Sequence, residues 1–325
     1  MGADVDKASG DENAVEAPRP AKSAAKWLRD LLEVARGKRK PLVHLQHNPD
    51  PDAVASGVAL QYLFKRVLDL DTKLTHTGQV GRVENRAMLR WLGIQIIPSY
   101  KIEYSDYDLL AVVDTHPGSG TCRLPKDVVP DIVIDHHPWR EEMVEVRVPF
   151  LDINFGSTST MVGWLLTENR IPVNSRVATA LVYGIKTDAQ DLARSESPYD
   201  EMVYQQMYEL ADKQILRRIQ RARLRQDYFQ VLERGLRRAR ITDFTVSTFL
   251  GEVDHSDAVA EIADTLFRLE GMKWAMVGGW KGPMLYLSLR AVRAKNVDAG
   301  IVAHEISNGS GGGHDTFAAA QIPVP

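Results

Sequence analysis

PLVHLQHNPDPDAVASGVALQYLFKRVL (41–68) passes from an apolar strand, through an acidic turn, into a helix. KPLVHLQ (40–46) has strand character, and DAVASGVALQYLFKRVL (52–68) reads as an amphipathic helix. Between them stand His47, Asp50 and Asp52, with Pro49 and Pro51. One reading of this turn is purely local, with Asp52 capping a helix that starts near Ala53. The other is a metal site, and the rest of the chain has to decide between them.

Outward from this stretch the pattern repeats. AAKWLRDLLEVARG (24–37) has helical spacing, TKLTHTG (72–78) reads as a strand, and VENRAMLRWLG (83–93) as a helix. DLLAVVDT (108–115) and PDIVIDHH (130–137) are buried-type strands, followed by helical patterns in TSTMVGWLLTE (158–168) and VATALVYGIKTD (177–188). Strands alternating with helices predict an α/β fold, with a mostly parallel sheet covered by helices on both faces. From Pro198 to Arg240 the pattern turns to long helices, and 214–240 carries nine arginines. That run reads as a solvated helix or as a basic wall beside an anionic substrate. β signal returns after Asp243 in TVSTFLGEV and in WAMVG and MLYLSLR, with GGWKGP as a hairpin turn and SDAVAEIADTLFRLEG as a helix. GSGGGHDTFAAAQIPV (309–324) reads as a glycine-rich loop, a short helix and a last strand.

At 325 residues the chain exceeds the ~250–300 at which single cores stop growing. The expected division is a disordered tail (1–22), an α/β domain (23–197), a helical linker (198–240) and a smaller α+β domain (241–325). A net charge of −3 gives no global pull toward nucleic acid or anionic membrane, so an anionic substrate needs local basic groups. One cysteine, Cys122, excludes an internal disulfide and a thiolate metal cluster, and it reads as an inert loop thiol. The expected location is a reducing cytoplasm, and no apolar run approaches the ~20 residues of a membrane span.

Acids and imidazoles recur where apolar runs end: Asp50 and Asp52 after PLVHLQ, Asp114 after LLAVV, Asp135-His136-His137 after DIVI, and Asp188 after LVYGIKT. In an open parallel sheet the carboxyl ends of the strands share one edge, where ligands bind. Carboxylates converging there would repel one another unless cations held them. Oxygen and imidazole donors without sulfur suit Mn²⁺ or Mg²⁺, with Zn²⁺ or Co²⁺ as alternatives.

NPDPDA, VVDT, IDHHP and YGIKTD, followed by GGGH near the C-terminus, resemble the motifs of the DHH phosphoesterase family. GGGH resembles the branch with a DHH-associated substrate-binding domain, which includes nanoRNases, cyclic-dinucleotide phosphodiesterases and RecJ-type exonucleases. The similarity covers about residues 40–320. It implies two divalent ions, foremost Mn²⁺, with Mg²⁺ or Co²⁺ as alternatives. One would sit on Asp50 and Asp114 with an upstream histidine, the other on Asp52, Asp114, His136 and Asp188. His137 would lie beside the scissile phosphate, and Asp135 would orient a histidine.

At one position the chain departs from the family pattern. The histidine expected four residues before Asp50 is Gln46, and His47 comes one residue later, where a strand side chain points to the opposite face. Three readings are open: a bulge lets His47 reach the metal, Gln46 supplies a weaker oxygen ligand, or the first site is only weakly occupied. For substrate the resemblance implies Gly311, Gly312, Gly313 and His314 as a phosphate clamp opening onto a helix N-terminus, and Arg290 as a grip on a terminal phosphate. Arg194, Asn85 and Arg82 are further candidates.

The implied activity is hydrolysis of short 5′-phosphorylated RNA or DNA oligonucleotides, or of linear dinucleotides, to mononucleotides. Cyclic dinucleotides and adenosine 3′,5′-bisphosphate are the enzymatic alternatives. A catalytically impaired nucleotide sensor is the non-enzymatic one. A homodimer through apolar residues of the helical region or of the first domain is a further expectation.

Overall fold

A computed structural model describes residues 22–139, 146–189, 192, 197–295, 297–313 and 315–324. The chain divides into two compact units. One comprises the chain up to Val80 together with Ala87–Gln220, and the other comprises Gly81–Arg86 and the chain from Arg221.

In the first unit α1 (Ala24–Ala35), capped by Ser23, buries Trp27 and Leu31. There follow β1 (Pro41–Leu45), α2 (Pro51–Leu68), β2 (Lys73–His76), α3 (Val83–Trp91), whose residues up to Arg86 count with the second unit, and β3 (Ile97–Pro98). Next come β4 (Leu109–Val113), β5 (Ile132–Asp135), β6 (Val148–Leu151), α4 (Thr158–Glu168), α5 (Ser175–Asp188), α6 (Pro198–Leu210) and α7 (Lys213–Gln220). The strands form one parallel sheet in the order β3-β2-β1-β4-β5-β6. The chain runs outward from β1 through β2 to β3 and then returns to pair β4 on the other side of β1. Such a reversal opens a crevice at the carboxyl ends of the two central strands. Leu45 pairs with Val113, so Gln46 and Asp114 leave the sheet side by side.

The larger apolar core takes Val43 and Leu45 of β1 and Ala111 and Val113 of β4, together with α1, α2, α4 and α5. On the opposite face Val112, Val133 and Leu151 pack with Cys122, Leu124 and Val146. Helix α2 is less amphipathic than its sequence reads: every residue from Pro51 to Leu60 is buried. Two close approaches enclose it. A Cβ on Gly57 would lie 2.7 Å from a Leu45 methyl, and one on Gly184 of α5 would lie 2.8 Å from Ala55 Cβ and 3.1 Å from the Pro51 carbonyl oxygen. Gly184 therefore lets α5 press against the start of α2. Asp188 lies one turn further along the same face of α5.

The second unit contains α8 (Gln226–Arg238), β7 (Arg240–Thr242), β8 (Thr245–Glu252), α9 (Asp257–Phe267) and β9 (Trp274–Lys281). It continues with β10 (Met284–Ala291), α10 (Ala299–Ile306), β11 (Gly311–Gly313) and β12 (Phe317–Pro323). Its sheet runs β11-β12-β10-β9-β8-β7, antiparallel except where α9 carries the chain from β8 to its parallel neighbour β9. The β9–β10 turn is made at Gly282, φ 55°, and is shorter than predicted, since GGWK (278–281) belongs to β9. The nine-arginine stretch is divided, α7 counting with the first unit and α8 with the second. Among the described residues no helix is long and apolar enough to cross a membrane.

The C-terminal segment differs from its sequence reading. The glycine run is an edge strand, and DTFAAA leads into β12, not into a helix. Ala318 and Ala320 are buried while Ala319 and Gln321 are exposed, the two-residue period of a strand. Alanine's helix preference is a few tenths of a kcal/mol per residue and yields to pairing with β10.

Candidate metal centre

The acids after β1 are held by backbone amides. Asp50 is the N-cap of α2, its Oδ1 accepting from Ala53 N at 3.0 Å. Capping thus falls to Asp50, and Asp52 sits in the first helical turn. Both oxygens of Asp52 are taken by the N-terminus of α4, from Thr158 N at 2.8 Å and Ser159 N at 2.7 Å. Asp114 follows β4 with a left-handed φ of 60°, an uncommon conformation for a residue with a side chain. Its Oδ1 accepts from Thr158 Oγ1 at 2.9 Å and its Oδ2 from Gln46 Nε2 at 3.0 Å.

His136 sits between two carboxylates, its Nε2 3.8 Å from Asp114 Oδ1 and 3.5 Å from Asp188 Oδ2. Asp52, His136 and Asp188 bring one donor atom each within 4.8 Å of the others, and so do Asp114, His136 and His137. His137 Nδ1 meets Asp135 Oδ1 at 2.7 Å, and His116 Nδ1 meets Asp135 Oδ2 at 2.6 Å.

The electrostatics distinguish these acids. Burial pushes the Asp114 carboxyl well above the ordinary range, and the charges of Asp52, Asp50, Asp135 and Asp188 add to the shift. Burial likewise raises Asp50, reinforced by Asp52, and raises Asp52 against its hydrogen bonds from the start of α4. Asp135 is the exception. Burial opposes its charge, but hydrogen bonds from His116 and His137 overcome that and hold it below the carboxylate range. For His137 burial is outweighed by Asp135, Asp188 and Asp50, which lift it to about 9.

Of the residues singled out in the sequence, Asp52, Asp114, His136, His137 and Asp188 converge, with Asp50 and Asp135 adjacent. His47 belongs to neither converging set. Its Nδ1 meets Thr77 Oγ1 at 3.0 Å, and its ring stands near Gly78, Arg123 and His76. Gln46 touches Asp114, and His44 is a core histidine bonded to Tyr104, with its pKa lowered by burial to about 4. His116 was missed by sequence reasoning, although it lies only two residues beyond Asp114. The start of α4 was also missed, and its hydroxyl-rich run STST (157–160) was the available signal.

In the second unit Arg290 faces α9, donating Nε to Asp264 Oδ1 at 2.5 Å and Nη1 to Ser288 Oγ at 2.8 Å. Arg82 donates to the other oxygen of Asp264 at 2.9 Å, and Asn85 is buried in the first turn of α3. Gly311 and Gly313 serve close packing: a Cβ on Gly311 would lie 2.5 Å from the Ala303 carbonyl oxygen, and one on Gly313 2.4 Å from that of Phe317. Gly312 is exposed, with open space where a Cβ would be. His314 and Arg194 lie outside the described residues.

A six-stranded parallel sheet carrying this acid–imidazole set at its carboxyl edge defines the class to which the sequence comparisons also lead. Residues 40–185 match the DHH family, N-terminal domain, and residues 242–325 match the DHHA1 domain. The chain belongs to the DHH family, whose members are metal-dependent phosphoesterases. It is 32% identical over 301 residues to the uncharacterized protein MJ1633 of Methanocaldococcus jannaschii, covering 90% of this chain and 60% of that one. A probable manganese-dependent inorganic pyrophosphatase of Streptococcus equi subsp. equi is 31% identical over 179 residues, 53% of this chain and 56% of that one. The chain thus spans less than two thirds of the length of these relatives. Among solved structures, an exopolyphosphatase-related protein from Bacteroides fragilis has the same fold, with a TM-score of 0.72, 16% identity and 91% of each chain covered.

Proposed function

We propose that this protein is a divalent-metal-dependent phosphoesterase that hydrolyses short 5′-phosphorylated oligonucleotides or linear dinucleotides to mononucleotides. The observation that carries the reading is the excess of buried carboxylates around His136, with Asp50, Asp52 and Asp114 all raised in pKa. Such a cluster is costly without cations and supportive of them. The donors are carboxylate oxygen and imidazole nitrogen, the set suited to Mn²⁺ or Mg²⁺. Asp52, Asp114, His136 and Asp188 would hold one ion, and Asp50 with Asp114 a second. Bound there, divalent ions would polarise a phosphoryl oxygen and lower the pKa of an attacking water.

The protein's own groups supply the remainder. Thr158, Ser159 and Gln46 fix the carboxylates through hydrogen bonds, so little reorganisation accompanies reaction. His137, cationic below about pH 9 and 31% exposed, is placed to stabilise charge on a phosphate or give a proton to a leaving oxygen. The DHHA1 match supports a nucleotide substrate over inorganic pyrophosphate, because the pyrophosphatase relative matches only about half of this chain.

The test is hydrolysis of pApA, a short RNA, cyclic di-AMP and pyrophosphate by the same preparation across free Mn²⁺ concentrations. Cleavage of pApA and short RNA above the other two is the expected order. Preference for pyrophosphate would replace the substrate class, and no turnover of any of them at saturating metal would remove the enzymatic reading.

A further inference from the structure

We infer that His116 is a positioning residue for the proposed reaction: through Asp135 it locks the imidazole of His137. This deepens the phosphoesterase reading and rests on it for the catalytic consequence alone. Asp135 is fully buried at the end of β5, and its two oxygens are shared between two histidines. Oδ1 meets His137 Nδ1 at 2.7 Å and accepts from His137 N at 3.3 Å, while Oδ2 meets His116 Nδ1 at 2.6 Å. With Oδ2 pinned, the carboxylate plane cannot turn without breaking a short buried bond. The acceptor seen by His137 is therefore fixed in direction as well as position. His137 Nδ1 must carry its proton toward Asp135, which leaves Nε2 as the ring atom free of that contact.

His116 is itself held. It is 4% exposed and sits in a loop tied by hydroxyl contacts, Thr115 Oγ1 to Ser119 Oγ at 2.8 Å and to Thr121 Oγ1 at 2.7 Å. Ser119 N donates to the His116 carbonyl at 3.1 Å, and His47 N donates to the Thr121 carbonyl at 2.9 Å. This loop links the ends of β1 and β4 and ends in a contact on β5. The short run DTH (114–116) thus supplies a carboxylate for the metal centre and, two residues on, the group that steadies the neighbouring histidine.

Substitutions separate positioning from mere filling of space. Asparagine places an amide nitrogen near the position of His116 Nδ1, whereas glutamine places it further out. His116→Asn is expected to retain kcat, and His116→Gln and His116→Ala to lose about 10- to 100-fold in kcat with KM and Mn²⁺ affinity unchanged. Independently of turnover, ¹H–¹⁵N spectra of the metal-free full chain should show a downfield, slowly exchanging His137 Nδ1 proton in wild type and His116→Asn. In His116→Gln it should exchange rapidly. Absence of that proton from wild type, or its persistence in His116→Gln, overturns the inference. So does a loss in His116→Gln confined to KM or metal affinity. If no substrate is turned over by any variant, the functional reading fails while the spectra still decide the role of His116.

Discussion

Two groups of acids, one in each unit, are satisfied in opposite ways. In the second unit Asp264 is gripped by two guanidiniums, Arg82 and Arg290, and Asp227 is paired with Arg225 at 2.8 Å. In the first, Asp52 and Asp114 are more deeply buried, and with Asp50 they receive amide and hydroxyl hydrogens, the imidazoles of His136 and His137 standing near Asp114 in place of guanidiniums. Guanidinium partners neutralise a carboxylate permanently and leave no room for a ligand. Neutral donors orient it and leave its charge uncompensated, the condition for binding a removable cation. The difference is one of chemistry more than of acidity, and it can be tested by neutralising one acid of each kind.

Asp114→Asn should give the largest effect. It removes the carboxylate touched by Gln46, Thr158 and His136, so hydrolysis at saturating Mn²⁺ should fall by about 1,000-fold or more, several kcal/mol of barrier. The same variant should melt higher than wild type in excess chelator, because it relieves repulsion with Asp50, Asp52, Asp135 and Asp188. A lower melting temperature in chelator would show that the carboxylate is structurally satisfied without metal, and the contrast between the units would disappear.

The pH dependence of the metal-free protein probes the same contrast without mutation. A carboxyl whose folded pKa is raised binds its proton more tightly in the fold. Its stabilisation is complete below the unfolded pKa of about 3.9 and is lost as pH rises toward the folded value. Asp50, Asp52 and Asp114 act in this sense, so stability should fall as pH rises above about 4. His137, lifted to about 9, adds its own loss between about pH 6.5 and 9. Asp135, held low, works the other way, but only below about pH 4. Adding Mn²⁺ at 100 times its Kd should return about 2.7 kcal/mol near neutral pH, read as a rise in melting temperature. A flat profile between pH 4 and 7 without metal would contradict the account of the cluster.

Much of this was readable in the chain. The strands carrying Asp50, Asp114 and Asp135 announce themselves by apolar runs of the right length, and their carboxyl ends meet because the sheet is parallel. Asp188 was harder to place, since it ends a helix, and what delivers it is the close approach at Gly184. Gly184→Ala should therefore cost about 1–3 kcal/mol in chemical denaturation and weaken Mn²⁺ binding as α5 is pushed outward. His116 was invisible because its role depends on an acid nineteen residues away. A last strand was expected, but its first half was misread as a short helix because three alanines carry no period of their own until β10 supplies one.

The smallest effect should come from the second unit, with Asp264→Asn. The carboxylate is 41% exposed, Arg82 is 44% exposed, and solvent screens much of their attraction. Arg290 is 14% exposed but keeps its bonds to Ser288 Oγ and the carbonyls of Leu289 and Ala260. Its charge is therefore not stranded when Asp264 becomes an amide, which can still accept one hydrogen bond. A loss of about 1 kcal/mol or less follows, equal with and without chelator, since the group has no part in holding metal. The decisive comparison is the sign: neutralising Asp264 should lower stability slightly in chelator, where neutralising Asp114 raises it. Stabilisation by Asp264→Asn would mean that the two arginines do not compensate this acid, and that the two units handle buried charge alike.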